Sequence, residues 1–578
     1  AALAAEPLAL RTVPGLGGAR GGIGARCGGV ASRVPRGARS ADMKASKDEY
    51  DVVVVGSGIG GLSCGAMLAK YGKDTLVVES HYLPGGCAHA YERDGFVFDS
   101  GPSLFSGMTR APYNPLRQVL DIIEESPEWI TYDGWCMWVP EDRMFRFTTG
   151  PDHFLNEVAP KFGGPGARDQ WARFLEAVDP IAKASAAVSP LGLRGDLGAA
   201  LTLLPSLPGL IAAAPYASKL TKPFSEIVKE TIDDRFLFNF LNHLSFAISG
   251  LPADSTLGAA MAYTIGDLHR EGALLDYPRG GGGALIDALV RGLTKHGGEL
   301  ALRSHVEQVT TDASGERATG VRLRDGTVIR AREAVVCNVP QWSLPDLLPA
   351  EARASAKARG FVEDCRDLRQ TDSFMHLHLG IRADGLPPGI DIHHTVISDW
   401  DDVSADGNLI AVSIPTILDP SLAPPGHHVI HAYCAGNEPY SLWEGLDRSS
   451  AEYRALKKER TEVLWRAIER IIPDVRERAV LTLEGSPLTH ERFLRRPRGT
   501  YGPAFAPGKD ELPGLRTHVD NLLVCGEGLI GIGVPAVAVS GAAAAHTLVP
   551  VTTQLRTMAN VGYTRTPRPG VDAGAAPA

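Results

Sequence analysis

The segment YDVVVVGSGIGGLSCGAMLAKYGKDTLVVES, residues 50–80, constrains the fold more than any other part of the chain. Val52 to Val55 form an apolar, β-branched run, which is typical of a strand buried inside a parallel sheet. Glycines follow at once, and the pattern then predicts a helix from about Gly60 to Tyr71 and a second strand from Thr75 to Val78. The segment therefore predicts a βαβ unit, and with it an α/β fold.

Three glycines of this unit, Gly56, Gly58 and Gly61, have the spacing G-x-G-x-x-G. The first permits a tight turn, the second lets the backbone approach a pyrophosphate, and the third lets the helix pack against the strand. Gly60, at the start of the predicted helix, belongs to the same cradle. Glu79 closes the second strand, where an acid meets a ribose hydroxyl. Together these residues predict a dinucleotide site.

A second G-x-G-x-x-G, at Gly526, Gly528 and Gly531, could indicate a second dinucleotide. Such a site would need another strand ending in an acid about 20 residues after its last glycine. No Asp or Glu follows Gly531 until Asp572. We therefore predict that this loop closes over the first cofactor and that no nicotinamide is bound.

Two features of the same loop predict how it contacts the cofactor. Glu527 would repel a pyrophosphate, but its carboxylate can accept hydrogen bonds from a sugar-like hydroxyl. After Gly533 an Ala-rich helix is expected to begin near Val534 or Pro535, since proline suits a first helical position. The positive end of that helix would then face the cofactor.

The nucleotide-binding pattern resumes after a long interruption, in residues 277–337. Apolar residues at helical spacing from Leu285 to Leu293 predict a helix, and strands are expected at Glu299–Arg303 and Val306–Thr311. A hairpin turn at Asp325 and Gly326 leads into a buried strand that ends at Cys337.

Length, composition and charge limit the function classes. A chain of 578 residues with 44% hydrophobic and 22% charged residues is expected to form two or more globular domains. Its net charge of −9 argues against nucleic-acid binding. The eight cysteines contain no C-x-x-C pair and predict reduced, packing thiols.

Two further segments bear on location. Residues 1–46 contain seven basic residues and only two acids, with many Ala, Gly and Ser, which resembles an organellar transit peptide or a plain disordered tail. No uninterrupted apolar run is long enough to predict a membrane-spanning helix. The nearest, from Leu197 to Leu220, is broken by prolines and predicts buried core helices, with a membrane-dipping patch as the alternative.

Five motifs carry a resemblance to a known family: VVGSGIGGL, LPGG, ERDGFVFDSGPS, SIPTILDPSLAPPGHH and LTHERFLRRPRGTYGP. From Tyr50 to Val549 the chain resembles the plant and cyanobacterial carotenoid isomerases (prolycopene isomerases). These are grouped with bacterial-type phytoene desaturases in the flavin amine-oxidase-like superfamily. The last two motifs are the narrow ones and point to the isomerase branch.

The resemblance implies an FAD-binding, Rossmann-like domain of the glutathione-reductase type, interleaved with an α+β substrate domain. The FAD-binding domain would comprise residues 47–140, 277–345 and 501–550. The substrate domain would comprise residues 141–276, helical and with a possible membrane-facing patch, and residues 346–500. Residues 551–578 would form a flexible tail.

The resemblance also assigns residues to FAD. The glycine cradle would hold the pyrophosphate and Glu79 the adenosine ribose, while the loop carboxylate would bind the ribityl chain. Backbone groups would contact the flavin side and the adenine, and the C-terminal helix would face the pyrimidine edge of the flavin. The complete set is Gly56, Gly58, Gly60, Gly61, Glu79, Gly85, Gly86, Val306, Gly526, Glu527 and Val534.

The implied function is FAD-dependent cis-to-trans isomerisation of a poly-cis C40 carotenoid by a membrane-associated plastid enzyme. Reduced flavin would transiently donate an electron or proton equivalent to the polyene, so no catalytic side chain is assigned. Alternatives are a carotenoid desaturase, a retinol-saturase-like enzyme, an amine oxidase and a non-catalytic carotenoid-binding protein. The loop GEGLIGIGVPAV and the stretch GGCAHA depart from the isomerase pattern and leave the exact polyene open.

Other polar residues receive plainer interpretations. Asp99 is expected to form a turn at least as readily as to act in catalysis. Tyr501 is a candidate wall of the flavin pocket. For most of the arginines we favour a solvated face, although one could pair with the FAD phosphates. For the histidines we favour solvation or packing over a metal site, because no Cys or acid stands at ligand spacing. These groups are Arg492, Arg495, Arg496 and Arg498, and His376, His378, His393, His394, His427, His428 and His431.

Overall fold

The computed structural model describes residues 43–355, 358–505, 507 and 514–561. The helices are α1 (Ile59–Lys70), α2 (Pro115–Ile122), α3 (Ala159–Phe162), α4 (Ala167–Ser185), α5 (Ala199–Thr202), α6 (Leu207–Ala213), α7 (Ala217–Thr221), α8 (Phe224–Lys229), α9 (Arg235–Ser249), α10 (Gly258–Leu268), α11 (Gly282–Lys295), α12 (Leu344–Leu347), α13 (Ala350–Ala354), α14 (Ala358–Asp367), α15 (Ala451–Glu469), α16 (Val475–Arg478), α17 (Pro487–Leu494), α18 (Glu527–Ile530), α19 (Val534–Thr547) and α20 (Val551–Asn560).

The strands are β1 (Glu49–Val55), β2 (Thr75–Val78), β3 (Ala90–Arg93), β4 (Phe96–Asp99), β5 (Phe105–Ser106), β6 (Trp129–Tyr132), β7 (Gly134–Val139), β8 (Arg143–Thr148), β9 (Leu275–Pro278), β10 (Glu299–Ala301), β11 (Val306–Thr311), β12 (Ala318–Leu323), β13 (Val328–Cys337), β14 (Ser373–Arg382), β15 (His393–Ile397), β16 (Leu409–Ser413), β17 (His427–Glu438), β18 (Ala479–Gly485) and β19 (Leu522–Val524).

The first large sheet has the strand order β10-β2-β1-β13-β12-β11, and β19 pairs with β13. At its centre β1 is parallel to both β2 and β13, so that Val55 lies between Val78 and Cys337. β2, most of β1 and the last part of β13 are apolar runs buried on both faces, as the sequence predicts for a parallel sheet covered by helices. The α/β class, the βαβ unit and the hairpin between β12 and β13 are thereby confirmed.

The C-terminal helix α19 packs closely against α1, and small residues permit the approach. A side-chain carbon at Gly541 would lie 2.2 Å from the carbonyl oxygen of Gly60. The Ala-rich composition of α19 thus brings the last part of the chain against the first βαβ unit.

The second large sheet has the order β18-β14-β17-β16-β15-β7-β8. One face packs against α15, where Leu377, Ile430 and Leu464 belong to one buried apolar cluster. The opposite face contributes residues such as Trp135 and Tyr433 to the large cavity described below. Its strands come from residues 134–148, 373–438 and 479–485.

Both ends of the described chain are more ordered than predicted. Residues 551–560, assigned to the flexible tail, form α20 because Gln554 is buried and donates to the carbonyl of Leu191 at 2.7 Å. Ser46, assigned to the leader, donates to the carboxylate of Glu299 through both its amide and its hydroxyl. The rest of the predicted leader, residues 1–42, and the tail from 562 onward lie outside the described residues.

The prediction of buried core helices after Leu197 is wrong. Prolines divide residues 199–221 into short helical pieces, as expected, but the large side chains point outward. Leu197 is 97% exposed, Ile211 66% and Leu204 57%. By length and composition alone this run could also cross a membrane, contrary to the expectation from the sequence.

Candidate cofactor and substrate cavity

A cavity of about 1690 Å³ extends from the glycine loop after β1 to the inner face of the second sheet. Of the predicted cofactor residues, all except Gly61 line it. Gly61 is buried behind the loop, where a side-chain carbon would lie 2.1 Å from the carbonyl oxygen of Gly56. The structure therefore brings together residues predicted from opposite ends of the chain.

The first glycine loop is a bare backbone surface. Gly56 has a φ of +97°, which side chains rarely adopt, and Gly58 precedes α1 without any side-chain cap. The amides of the first helical turn are consequently available to a phosphate, whose charge the helix dipole favours. Gly86 lies in contact with this loop, since a carbon added there would be 3.1 Å from the Cα of Gly58.

Glu79 is held in place at the end of β2. Its Oε2 accepts from the amide of Ser57 at 2.9 Å and from the Ser57 hydroxyl at 2.7 Å. Its Oε1 accepts from the amide of His81 at 2.7 Å. A carboxylate oxygen has more than one lone pair, so Glu79 can still accept from a ribose hydroxyl in the cavity.

Asn338 joins the two glycine loops, and the sequence interpretation missed it. Carbons added at Gly58 and Gly526 would lie 2.9 Å from its Nδ2 and 2.8 Å from its Oδ1. The signal for it was present, because Asn338 follows the carboxyl end of the buried strand β13, where ligands bind in open α/β sheets.

Glu527 makes a contact that its sequence position does not reveal. Arg496 Nη1 donates to its Oε2 at 2.7 Å, and Glu527 Oε1 is buried without a hydrogen-bond partner among the described residues. Arg496 also donates to the carbonyls of Thr500 and Tyr501. Burial disfavours the charge of Arg496, but Glu527 and Cys87 outweigh burial and raise the pKa of the guanidinium above its usual value.

The expectation of a solvated arginine face is therefore wrong for Arg496, which is 6% exposed. Tyr501 lines the cavity beside it, as predicted for a wall residue. The helix α19 begins at Val534, as predicted, with Gly533 as its cap and Pro535 in its first turn. Its amino terminus opens into the same cavity, where its positive end favours a negative charge.

Comparison with known proteins decides the family. The sequence model of the family "Flavin containing amine oxidoreductase" matches residues 59–549. The chain belongs to this family. FAD is its cofactor and it is an FAD-dependent enzyme, in accordance with the sequence prediction.

Individual relatives refine the placement of this family member. It is 30% identical to prolycopene isomerase 1 of an Oncidium hybrid cultivar, over 89% of this chain and 86% of the relative. The prolycopene isomerase of Arabidopsis thaliana is also 30% identical, over 86% and 82%. An all-trans-retinol 13,14-reductase of Danio rerio is 24% identical, over 88% and 85%. The resemblance inferred from the motifs is confirmed.

Solved structures support the fold. An oxidoreductase from Methanosarcina mazei superposes with a TM-score of 0.58 at 19% identity, covering 85% of this chain and 98% of that one. Putrescine oxidase gives a TM-score of 0.57 at 16% identity, covering 89% and 99%. The FAD-binding α/β fold is therefore shared with these proteins.

The hydrogen-bonding groups that line the cavity fit FAD. The bare amides of the first loop suit a pyrophosphate, and the two carboxylates, Glu79 and Glu527, suit hydroxyl donors at separate places. The unpartnered Glu527 Oε1 is the clearest of these features, because a buried oxygen without a donor is costly unless a ligand supplies one.

The histidines of the second sheet are buried, so of the two predicted alternatives packing is right and solvation is wrong for most of them. His376, His378 and His431 bring ring nitrogens within 4.8 Å of one another. Their rings are nearly parallel, at 5° to 11°. Ring lone pairs lie in the ring planes, so parallel rings do not direct them at one metal ion.

Asp99 anchors the loop before α11 and does not face the cavity. Its Oδ1 accepts from the amide of Gly282 at 2.8 Å, and its Oδ2 accepts from the hydroxyl of Tyr277 at 2.8 Å. The structure thus gives Asp99 a structural role in positioning the loop before α11.

Proposed function

We propose that the protein catalyses the FAD-dependent cis-to-trans isomerisation of a poly-cis C40 carotenoid. The observation that carries the proposal is the 30% identity to prolycopene isomerases over nearly the whole chain. The cavity supports it, because the second sheet lines its far part with Trp135, Met137 and Leu409, and its described residues contribute no Asp, Glu, Lys or Arg there.

The residues of the cradle would hold FAD from both ends of the chain. Gly56, Gly58 and Gly60 would receive the pyrophosphate, and Glu79 the ribose. Gly85, Gly86 and Val306 would contact the cofactor through their backbones. We propose that residues 47–140, 277–345 and 501–550 form one FAD-binding domain, because the residues assigned to the cofactor come from all three segments.

When bound, FAD supplies the electron or hydride transfer that weakens a double bond. The protein would hold the cofactor's ribityl chain at Glu527 Oε1 and orient this carboxylate through the hydrogen bond that Arg496 donates to Oε2. The positive end of α19 would stabilise negative charge beside Val534 by roughly 0.3–1 kcal/mol. The apolar chamber would exclude water and hold the polyene.

We further propose that the exposed leucines after Leu197 contact a membrane surface, from which an apolar substrate is collected. Thr221 and Ser185 line the cavity, and both lie at ends of helices beside this patch. The plant relatives are named as chloroplastic proteins, and we propose a plastid location on that basis.

The test is an anaerobic assay of the holoenzyme, with FAD reduced beforehand, on poly-cis-lycopene, phytoene and retinol, with products separated by chromatography. All-trans-lycopene would support isomerisation. A saturated product would instead favour the reductase-like alternative suggested by the retinol reductase relatives.

A further inference from the structure

His89 belongs to the stretch GGCAHA, which departs from the isomerase pattern. Gly85 pairs with Gly58 of the first glycine loop, and a short helical turn, Gly86–Ala88, leads from there to His89. The imidazole of His89 lines the large cavity together with the residues assigned to the cofactor.

The contacts of Nδ1 fix the tautomer of this imidazole. Nδ1 of His89 lies 2.8 Å from the carbonyl oxygen of Gly86 and 3.0 Å from the hydroxyl oxygen of Ser100. A carbonyl oxygen can only accept, so Nδ1 must carry a proton and donate it. The Ser100 hydroxyl donates to the carbonyl of His89 at 2.6 Å, which leaves its oxygen free to accept from Nδ1 as well.

The opposite nitrogen, Nε2, is therefore a bare acceptor. Burial is the main reason why the pKa of His89 is lowered to about 4, so the ring is neutral at physiological pH and carries one proton. Because that proton is on Nδ1, Nε2 presents a lone pair. Nε2 has no hydrogen-bond partner among the described residues, yet it retains surface that a ligand in the cavity can reach.

The neighbours of His89 indicate which part of FAD it would meet. Its ring centroid lies 5.3 Å from that of His81, whose amide donates to Glu79. Two residues before His89, the sulfur of Cys87 lies 3.6 Å from the Arg496 guanidinium, which orients the second carboxylate of the cavity. His89 is thus linked to both carboxylates that suit the hydroxyl groups of FAD.

A lone pair at this place selects for a hydrogen-bond donor. The hydroxyl groups of the ribityl chain and of the ribose can donate, whereas the oxygens of the ionised pyrophosphate between them only accept. A buried acceptor left without a donor costs free energy, and a hydroxyl group of the bound cofactor would remove that cost.

We propose that Nε2 of His89 accepts a hydrogen bond from a hydroxyl group of FAD, on the ribityl chain or on the ribose. His89 is then a further cofactor-binding residue. The proposal rests on the FAD site and not on the reaction proposed above, so a failure of isomerisation would leave it standing.

Two amide substitutions separate the nitrogens of the ring. His89→Asn places an amide nitrogen near the position of Nδ1 and leaves nothing at that of Nε2, whereas His89→Gln places its amide group near Nε2. FAD is titrated into the full-length apoprotein, and quenching of flavin fluorescence gives the dissociation constant. We expect His89→Asn to raise this constant about three- to tenfold, as for one lost hydrogen bond, and His89→Gln to raise it less. An unchanged constant in His89→Asn, or equal weakening by both amides, would overturn the contact.

His428→Asn is the matched control. Nδ1 of His428 is also engaged, with the Thr416 hydroxyl at 2.8 Å, but His428 does not line the cavity. This variant should keep the wild-type dissociation constant. If it weakens FAD as much as His89→Asn does, the effect does not come from the cavity and the proposal is wrong.

Fragments of FAD locate the hydroxyl group. FMN carries the ribityl chain and ADP the ribose, and the affinity of each is measured by competition with FAD. If the ribityl chain donates, His89→Asn weakens FMN and leaves ADP unchanged, and if the ribose donates, the reverse holds. A loss of FAD affinity with neither fragment affected would overturn the assignment to a hydroxyl group.

Chemical modification of the wild-type protein tests the proposal even if neither His89 variant folds. Diethyl pyrocarbonate acylates neutral imidazole at an unprotonated nitrogen, and peptide mass mapping identifies the modified residue. We expect His89 to be modified in the apoprotein and protected in the holoenzyme. A His89 that is inert without FAD, or equally reactive with FAD bound, would contradict the contact, and neither result depends on isomerase activity.

Discussion

Arg496 Nη1 and Glu527 Oε2 lie 2.7 Å apart, at the meeting point of two loops that border the large cavity. Their side chains are 8% and 16% exposed, so the pair is largely shielded from water. The pair fixes one oxygen of the carboxylate and leaves the other, Oε1, aimed at no protein donor among the described residues. A buried charge held this way is suited to receive a hydroxyl of FAD.

Replacing Glu527 by Ala should reduce FAD retention, because the cofactor loses an acceptor and Arg496 is left as an unpaired buried charge. Breaking one side of a buried pair costs about 3–5 kcal/mol in the free energy of unfolding. The ratio of flavin to protein absorbance after gel filtration measures retention. Glu230→Ala, at a pair on the surface, serves as the control. Unchanged flavin content in Glu527→Ala would refute the placement of this residue.

Coupling between the two residues can be measured separately. If the pair acts as a unit, the double variant Arg496→Met/Glu527→Gln should lose less stability than the two single variants predict by addition. Chemical denaturation of the apoprotein gives the three free energies. Strict additivity would mean that the contact contributes nothing to the fold.

Replacing Gly61 by Ala should destabilise the first βαβ unit, since the new carbon would meet the carbonyl of Gly56 at 2.1 Å. We expect a loss of several degrees in melting temperature together with weaker FAD binding. Gly360→Ala is the matched control, because nothing lies within 4 Å of a carbon added there and the site is helical. That change should be neutral or stabilising by up to about 1 kcal/mol. Equal behaviour of the two variants would contradict the packing.

Acid should destabilise the protein below pH 6.5, because buried histidines stay neutral in the folded state at pH values where they are protonated in the unfolded state. Burial lowers the pKa of His269 to about 4 and that of His393 to about 3, whereas unfolded histidine titrates near 6.5. The stabilisation is full above pH 6.5 and is lost as the pH falls toward these values, by about 1.4 kcal/mol per pH unit for each group. Urea unfolding between pH 7.5 and 5 measures the slope.

One variant isolates a single histidine in this pH dependence. His269 packs among Phe147, Phe154 and Trp171, so His269→Phe keeps the aromatic contacts and removes the titrating ring. Its slope of stability against pH should be smaller than that of the wild type. An identical slope would show that folding does not lower the pKa of His269.

Replacing Leu201, Leu204 and Ile211 together by Ser should weaken binding to liposomes while leaving the unfolding free energy nearly unchanged, because these side chains are exposed. Flotation with anionic vesicles provides the measurement. Val328→Ser/Val480→Ser, at exposed apolar residues elsewhere, is the control. Equal flotation of both variants and the wild type would argue against a membrane-facing patch.

Local patterns in the sequence predict much of the first sheet. Apolar runs, turn glycines and the hairpin at Asp325 are encoded by neighbouring residues, so β1, β2, α1 and the start of α19 at Val534 follow from them. The missing acid after Gly531 also predicts correctly that the C-terminal glycines do not begin a second βαβ unit, since α19 and α20 follow them.

The remaining features depend on contacts between distant segments. Alternation along β14 places His376 and His378 on one face, but the pattern is the same whether that face meets water or a cavity. The pairing of Arg496 with Glu527 joins two loops with no shared periodicity. The proline-rich run after Leu197 is as apolar as a core helix. Only the folded structure shows that no other segment covers its leucines, which are exposed to solvent.

The proposed isomerisation changes double-bond geometry without net oxidation or reduction. The most direct measurement is the mass of the product formed from poly-cis-lycopene by the holoenzyme, with FAD reduced and oxygen excluded. We expect all-trans-lycopene of unchanged mass, formed over many turnovers for each flavin. A product two hydrogens heavier, formed in proportion to the flavin that is oxidised, would contradict it.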